Sequence, residues 1–404
     1  MDLFLARQPI FDKHHNVYGY ELLYRSNQNN VYNHFDGDQA SLNVIHNAFL
    51  LTGPENISGG KKIFINFTAN LLKNKVALSL PKQLLVVEIL ENIAPDKTIL
   101  SVCAELKKAG YTLALDDFVL HSPQVNSLIN YADIIKVDFR QSSLDDIQKI
   151  AEHSIHKGIK LLAEKTETLE ELTVAKSLGY IFFQGYFFSK PLIIATRDIP
   201  SHKLAHLQML HEINQTDLSI ECLEAIVKRD TSLTYKLLKY INSVSFGMSQ
   251  PIDSIKHAMV LLGEKEVRKW ASLIIFTKIA QDNTPELLMS SLIRAKFSES
   301  LADEMGFRDK KSMLFLAGMF SLLDAMIGRP LAEVLEKIPL PEDIKKALLG
   351  EDNRYRDLLG MVIHYEKADW QNFAKFAQKI NFDENKIPDL YLNAVRWAEK
   401  TLKA

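Results

Sequence analysis

Six short apolar runs each end on a residue able to bind a metal ion or move a proton: IFIN at 63–66, LVVE at 85–88, LALDD at 113–117, IIKVD at 134–138, LLAE at 161–164 and IFFQ at 181–184. This regularity constrains the fold more than any other feature of the chain. Each run is short and apolar, as a strand buried on both faces must be, and four of the six are rich in β-branched or aromatic residues. The stretches between them carry helical periodicity. Two of these, AELKKAG (104–110) and TLEELTVAKSLG (168–179), close on glycine, a common helix C-terminal signal. Strand–helix units repeating about every twenty to thirty residues predict a parallel sheet, here closed into a barrel. In such barrels the reactive side chains stand at the C-terminal ends of the strands, where these polar residues fall. The first half of the chain is therefore expected to hold an active site or the remains of one.

At 404 residues the chain exceeds the usual size of one compact domain, so two are expected. A net charge of −2 gives no general attraction for nucleic acid, and no direct nucleic-acid binding is expected. Cys103 and Cys222 lie far apart in helix-like segments and read as core thiols rather than as a disulfide or a zinc knuckle. The opening MDLFLARQPIF has Asp2 and Arg7 about a very short apolar run, unlike a signal peptide. The longest apolar stretch, MLFLAGMFSLL at 313–323, is too short to span a bilayer. These readings place the protein in the cytoplasm, with no membrane partner.

The strand-rich pattern stops near Pro191. From Ser201 onward IECLEAIVKRD (220–230), TYKLLKYINSV (234–244), SIKHAMVLLG (254–263) and EVRKWASLIIFTKIA (266–280) repeat apolar residues at three- and four-residue spacing. PLIIATRDIPSHK (191–203) is the natural connection. The expected domains are thus 1–200 and 201–404.

If the barrel closes, Glu21, Asn66, Glu88, Asp116, Asp117, Asp138, Glu164 and Glu167 converge on one mouth with Lys136 and Gln184, seven carboxylates against one ammonium. A single acid at a strand end more commonly caps a helix or faces solvent. Carboxylates crowded together instead raise one another's pKa values or bind cations. Oxygen ligands with one amide carbonyl, and no cysteine or histidine cluster, suit Mg²⁺ or Mn²⁺ better than zinc. Two such ions about 4 Å apart clamp an in-line displacement at phosphorus. The residues point to metal-dependent phosphodiester hydrolysis. Lys136 has a simpler reading as the neutraliser of Asp138, and His121 reads as a surface-loop histidine.

QPIFD at 8–12, YELLYR at 20–25, INFT at 65–68, EILE at 88–91, LDDF at 115–118, KVD at 136–138, AEKTE at 163–167 and QGYFFSKP at 184–191 resemble, in this order, the signature motifs of EAL-domain cyclic di-GMP phosphodiesterases, over roughly residues 1–200. The resemblance implies a TIM-like (β/α)8 barrel that hydrolyses cyclic di-GMP to linear pGpG with two divalent ions, Mg²⁺ or Mn²⁺, per active site. By matched position it implies Glu21, Asn66, Glu88 and Asp116 as metal ligands, with Asp117 serving the second ion; Asp138, from the convergent set, is expected among the metal-binding carboxylates. It implies Lys136 as the residue that orients and helps activate the water, Glu164 as general base or metal-coordinating glutamate, and Glu167 as a supporting carboxylate. Gln8, Arg25 and Gln184 match positions that hold the dinucleotide, Arg25 by a phosphate contact. Glu91 matches the glutamate that steadies the loop after Asp116 and Asp117. Three positions depart from the family pattern. Glu21-Leu22-Leu23 replaces Glu-Ala-Leu, Val119 stands where a loop glycine is usual, and Lys165 stands where another glycine is usual. Valine disfavours the positive φ open to glycine. In the family that loop serves the second ion and a homodimer contact, so weaker or altered activity is expected here.

Residues 201–404 resemble the HDOD domain, an all-helical relative of the HD metal-phosphohydrolases, through LTYKLLKYINSVSFG (233–247), SIKHAMVLLG (254–263) and FLAGMFSLLDAMIG (315–328). An active HD domain needs paired His–Asp ligands. Asp324 has no histidine beside it in sequence, and His211, His257 and His364 are scattered. This half is expected not to be a hydrolase, but to bind a protein partner or couple a signal to the barrel. Lys265, Arg268 and Lys269 with Trp270 read as a solvated helix face.

Three readings stay open from sequence. The first is an enzyme that lowers cyclic di-GMP in bacterial signalling of motility versus biofilm, tuned by the helical domain. The second is a non-catalytic sensor of the dinucleotide, and the third a protein-interaction scaffold. The complete ligand set favours the first.

Overall fold

The structure, a computed structural model, describes residues 3–26, 37–51, 53–118, 125–166, 168–185, 201–215, 219–229, 234–236, 238–239 and 254–403. The chain divides into two compact units, Met1–Ser189 with His364–Gln371, and Lys190–Ile363 with Asn372–Ala404. The domain boundary read from sequence, near residue 200, borders residues 186–200, which lie outside those described.

Eight strands close the first unit into a barrel in chain order: β1 (Leu3–Asp12), β2 (Val17–Ser26), β3 (Lys62–Phe67), β4 (Leu85–Ile89), β5 (Thr112–Leu115), β6 (Ile134–Asp138), β7 (Lys160–Glu164) and β8 (Phe182–Phe183). The six apolar runs account for β3 to β8. The sheet is not wholly parallel, which corrects the sequence expectation: β1 runs antiparallel to both β2 and β8, and the remaining neighbours pair parallel. A short hairpin is the cause. Asp12 Oδ1 accepts from the backbone N–H groups of His14 at 2.8 Å and Asn16 at 2.9 Å, and Asp12 N donates to Asn16 O at 2.8 Å. An aspartate closing its own turn leaves no room for the crossover helix that a parallel pair needs.

Capped helices return the chain between strands. Asp96 caps Lys97–Ala109 by accepting from Ile99 N, Ser143 caps Leu144–Ile155, and Thr168 caps Leu169–Ser177 in a reciprocal arrangement with Glu171. Each cap satisfies an N–H that the first helical turn leaves without a partner. The Lys97–Ala109 helix buries Ile99, Val102, Cys103 and Leu106 along one stripe, the periodicity of a helix lying on a sheet.

The barrel interior is layered. Ile10, Phe64, Val86, Ala114, Ile134, Leu162 and Phe182 form one apolar layer, each no more than 5% exposed. Side chains alternate faces along a strand, so the next inward-facing position lies two residues on. Counting two residues on from that layer gives Asn66, Glu88, Asp116, Lys136, Glu164 and Gln184, and on the reversed strand β1, Gln8. One polar residue at or near the end of each apolar run thus joins a single ring of side chains, with an apolar floor beneath it.

Among the described residues the second unit is built of helices and contains no strand. The long helices Glu264–Ile279 and Pro285–Glu304 pack with Lys311–Phe320 and Ile387–Lys403. Gly318 sits where a Cβ would come within 2.4 Å of Arg294 O, so the glycine of the FLAGMF motif lets two helix backbones touch. Arg268, Lys269 and Trp270 are buried, at 8, 4 and 5% exposure, which corrects the solvated-face reading. Lys269 Nζ pairs with Glu299 Oε1 at 2.8 Å and lies 4.8 Å from the Trp270 ring centroid, while Arg268 pairs with Glu264 and donates to Gln215 O. Internal partners make those charges tolerable inside the unit. Cys103 is buried as expected, but Cys222 is exposed, because it falls on the outward side of its amphipathic helix. No helix among the described residues is long and apolar enough to cross a membrane.

Candidate active site

Lys136 is the hub of the polar ring. Its Nζ lies 2.7 Å from Glu88 Oε1, 2.7 Å from Asp116 Oδ1, 3.0 Å from Glu164 Oε1 and 3.4 Å from Glu21 Oε2. Strand register builds this arrangement, pairing Gln8 with Glu21 across β1–β2 and Asn66 with Glu88 across β3–β4. Asp116 follows β5, where its N–H donates to Ile89 O at 3.0 Å and the next-but-one N–H, from Phe118, donates to Lys136 O at 3.0 Å. Two backbone bonds thus pin the Asp116–Asp117 pair to the strands on either side. The reading of Lys136 as the neutraliser of Asp138 is corrected by this geometry. Its ammonium serves four other carboxylates.

Burial sets the electrostatics. Burial and the Glu21 charge push the Glu88 carboxyl well above its ordinary value, although Lys136 pulls the other way. Glu164 is pushed up to about 8 by burial, against the pull of Lys136 and with Asp116 and Glu21 adding to the rise. Burial alone would lower the Lys136 pKa, but Glu164, Glu21, Glu88 and Asp116 outweigh it and hold the ammonium well above its usual range. Burial and Asp116 raise Asp117, with Lys165 opposing. More negative charge is gathered here than one lysine neutralises.

Asp117 extends the cluster beyond Lys136. Asp116, Asp117 and Glu164 each offer an oxygen, all within 4.8 Å of one another. Asp117 and Lys165 both have positive φ, 42° and 54°, unusual for residues with a Cβ. Asp138 faces other partners: its Oδ1 accepts from Arg140 N at 2.7 Å and Gln141 N at 3.1 Å, and its Oδ2 meets Lys165 Nζ at 2.5 Å. Nothing in the sequence spacing announced the Lys165–Asp138 pair. The only signal was a lysine in place of a glycine.

Gln184 Nε2 donates to Glu21 Oε2 at 2.7 Å and to Gln8 Oε1 at 3.0 Å, joining two residues assigned to dinucleotide binding with a ring carboxylate. Gly185 follows with φ 153°, and a Cβ there would meet Thr166 O at 2.2 Å. This close approach locks the end of β8 to the chain after β7, where Thr166 N and Oγ1 each donate to Gln184 O at 3.2 Å. Arg25 belongs to β2, registered against Phe4. Glu91 is exposed in the turn after β4, and its charge adds to the rise of the Asp117 pKa. Glu167, Val119 and His121 lie outside the described residues.

Three buried acceptors in the ring, Asn66 Oδ1, Glu88 Oε2 and Gln184 Oε1, have no hydrogen-bond donor. A buried polar atom left unsatisfied costs about 1–3 kcal/mol. An all-oxygen set of carboxylates with an amide carbonyl is what a hard divalent cation requires. The residues present therefore fit such an ion.

Fold and site together define an α/β barrel with an oxygen-lined mouth, of the kind that could hold a cation, built around a buried lysine. Residues 38–191 match the EAL domain and residues 199–333 the HDOD domain. The chain is 37% identical over 411 residues to the uncharacterized protein YuxH of Bacillus subtilis (strain 168), covering 100% of each. It is 35% identical over 400 residues to the cyclic di-GMP phosphodiesterase CdgJ of Vibrio cholerae serotype O1, covering 98% of this chain and 92% of that protein. The chain belongs to this family, which joins an EAL domain to an HDOD domain. Among solved structures, the manganese and cyclic di-GMP complex of Klebsiella pneumoniae BlrP1 is similar at 25% identity, over 46% of this chain and 55% of that one, with a TM-score of 0.38.

Proposed function

We propose that the protein is a cyclic di-GMP phosphodiesterase, a hydrolase that opens the cyclic dinucleotide to linear pGpG in the barrel spanning residues 1–200. The observation that carries this reading is the buried Lys136 ammonium held among Glu21, Glu88, Asp116 and Glu164. The relative CdgJ, matched over nearly its whole length, supports it.

An anionic dinucleotide is repelled by a mouth of carboxylates unless cations offset them. Glu21, Asn66, Glu88 and Asp116 would hold one Mg²⁺ or Mn²⁺, and Asp117 with Glu164 a second, Asp138 being available once it leaves Lys165. When bound, such ions activate a water and neutralise phosphate charge. The chain's own groups supply the rest. Lys136, held protonated by its carboxylate neighbours, acts as a hydrogen-bond donor that orients the water and steadies charge developing on phosphate oxygens. Glu164, whose Oε1 lies 3.0 Å from Lys136 Nζ, is the carboxylate placed to hold the second ion or to take up the proton that the water loses. Gln8 and Gln184 present neutral amides beside Glu21 to bind the nucleotide without adding charge, and Arg25 is the phosphate contact. In the reaction the water oxygen bonds to phosphorus, the bond from that phosphorus to a ribose 3′ oxygen breaks, and a proton passes to the leaving oxygen.

The helical residues 201–404 regulate the barrel or bind a protein partner. The setting is the bacterial cytoplasm, where loss of the dinucleotide favours motility over biofilm. The test is incubation of the full chain and a Glu21→Ala variant with cyclic di-GMP and Mn²⁺ or Mg²⁺. Linear product from the parent alone supports the enzyme. Saturable binding without product would turn the reading to a sensor, and no binding to a scaffold.

A further inference from the structure

Lys165 is exposed over half of its side chain, yet its ammonium lies 2.5 Å from Oδ2 of the buried Asp138. Two backbone features place it there. β6 and β7 register Asp138 directly against Glu164, so the residue after Glu164 starts beside the aspartate. Lys165 itself adopts φ 54°, a conformation residues with a Cβ resist. The buried Thr166, bonded to Gln184 O through N and Oγ1 and touched by Gly185, holds the chain after that turn, and Phe139 N, donating to Glu164 O at 3.2 Å, holds it before. The lysine charge is felt by the carboxylates around it: it draws down Asp117, and Asp117 and Glu164 together with Asp138 favour its own charged form. Asp117 and Glu164 are two of the three residues whose oxygens cluster within 4.8 Å. Asp138, meanwhile, has Oδ1 committed to two backbone N–H groups and Oδ2 to this lysine.

We propose that Lys165 is a tethered cation that competes with the second divalent ion. It occupies part of the negative field of Asp117, Asp138 and Glu164, and it withholds Asp138 from coordination, so this site fills at a higher ion concentration than the same barrel without the lysine charge. Lys165 is thus a positioning residue that sets the metal dependence of the chain. The inference rests on the two-ion reading above.

The test is calorimetric titration of Mn²⁺ alone into the ion-free full chain and into Lys165→Met and Lys165→Arg variants. Both replacements keep a Cβ at the left-handed position, so backbone strain is held constant while the charge is removed or retained. Lys165→Met tightens the weaker of two Mn²⁺ sites by about tenfold, the size expected for removing one water-screened unit charge a few ångströms from a divalent ion. The stronger site is unchanged, Lys165→Arg binds like the parent, and the gap between Lys165→Met and parent narrows as salt rises. Two Mn²⁺ sites of unchanged or weaker affinity in Lys165→Met would overturn the competition while leaving the two-ion reading intact. Absence of Mn²⁺ binding in all three proteins would overturn both.

Discussion

The Lys136 ammonium lies 2.7 Å from Glu88 Oε1, and both residues are 0% exposed. A buried ion pair of this kind contributes little net stability when intact, but losing one partner strands the other charge. Lys136→Met is expected to lower unfolding stability by about 3–5 kcal/mol and kcat by about a hundredfold or more. Denaturant unfolding and initial rates read the two effects. Mn²⁺ should recover part of the stability and little of the rate, because a divalent ion offsets the stranded carboxylates without replacing the donor. A variant with parental rate would remove the water-orienting role from Lys136.

Asn66 sits beside Glu88 in the β3–β4 register, and its Oδ1 has no donor. Removing an oxygen that satisfies nothing in the ion-free protein leaves that state's stability within about 1 kcal/mol of the parent. Asn66→Ala is therefore expected to weaken Mn²⁺ binding and turnover while chelated protein unfolds as before. Lower chelated stability with unchanged Mn²⁺ affinity would make Asn66 a structural residue.

Gly185 touches the backbone of Thr166, and the contact fixes Gln184 against Glu21 and Gln8. Gly185→Ala is expected to cost about 1–3 kcal/mol, the usual range for overpacking. It should also raise KM for cyclic di-GMP more than it lowers kcat, since the displaced group binds rather than reacts. A lowered melting temperature with unchanged KM would separate Gln184 from substrate binding.

In the helical unit, burial pushes the Glu299 carboxyl up, but Lys269 and Lys296, each at 2.8 Å, outweigh it and hold the pKa below the ordinary 4.5. A depressed folded-state pKa gives stability that is fully present above the unfolded value and lost as pH falls through the folded one. Glu299→Gln should thus be less stable than the parent at pH 7, and the gap should close as the pH drops below about 4.5. Tryptophan fluorescence during denaturant unfolding at several pH values reads this directly. A gap independent of pH would assign the loss to packing.

Much of the barrel was legible because a strand buried on both faces carries a run of apolar residues, and β3 to β8 each carry one, broken only by the polar residues near their ends. β1 and β2 escaped the same criterion. Charged and polar residues interrupt them in mid-strand, Arg7 and Gln8 in β1 and Glu21 in β2, and their antiparallel pairing follows from the Asp12 turn rather than from a strand–helix repeat. The ring residues of β3 to β8 were legible for a related reason: each lies two positions beyond an apolar floor residue, and the period-two rule carries it inward. Partnerships across the chain were not legible. Lys269 finds Glu299 thirty residues on and becomes a core residue, whereas composition alone reads it as solvated. Lys165 finds Asp138 twenty-seven residues back, and Lys136 gathers carboxylates from four strands or strand ends, leaving Asp138 to another cation.

The most direct measurement is the rate at which the ion-free full chain, then the same chain given Mn²⁺, converts cyclic di-GMP to linear pGpG, followed by chromatography of the product. Turnover that is absent after chelation, returns with Mn²⁺ and disappears in Glu88→Gln is the predicted result. Intact cyclic dinucleotide at saturating Mn²⁺, in protein shown to be folded, would contradict the account.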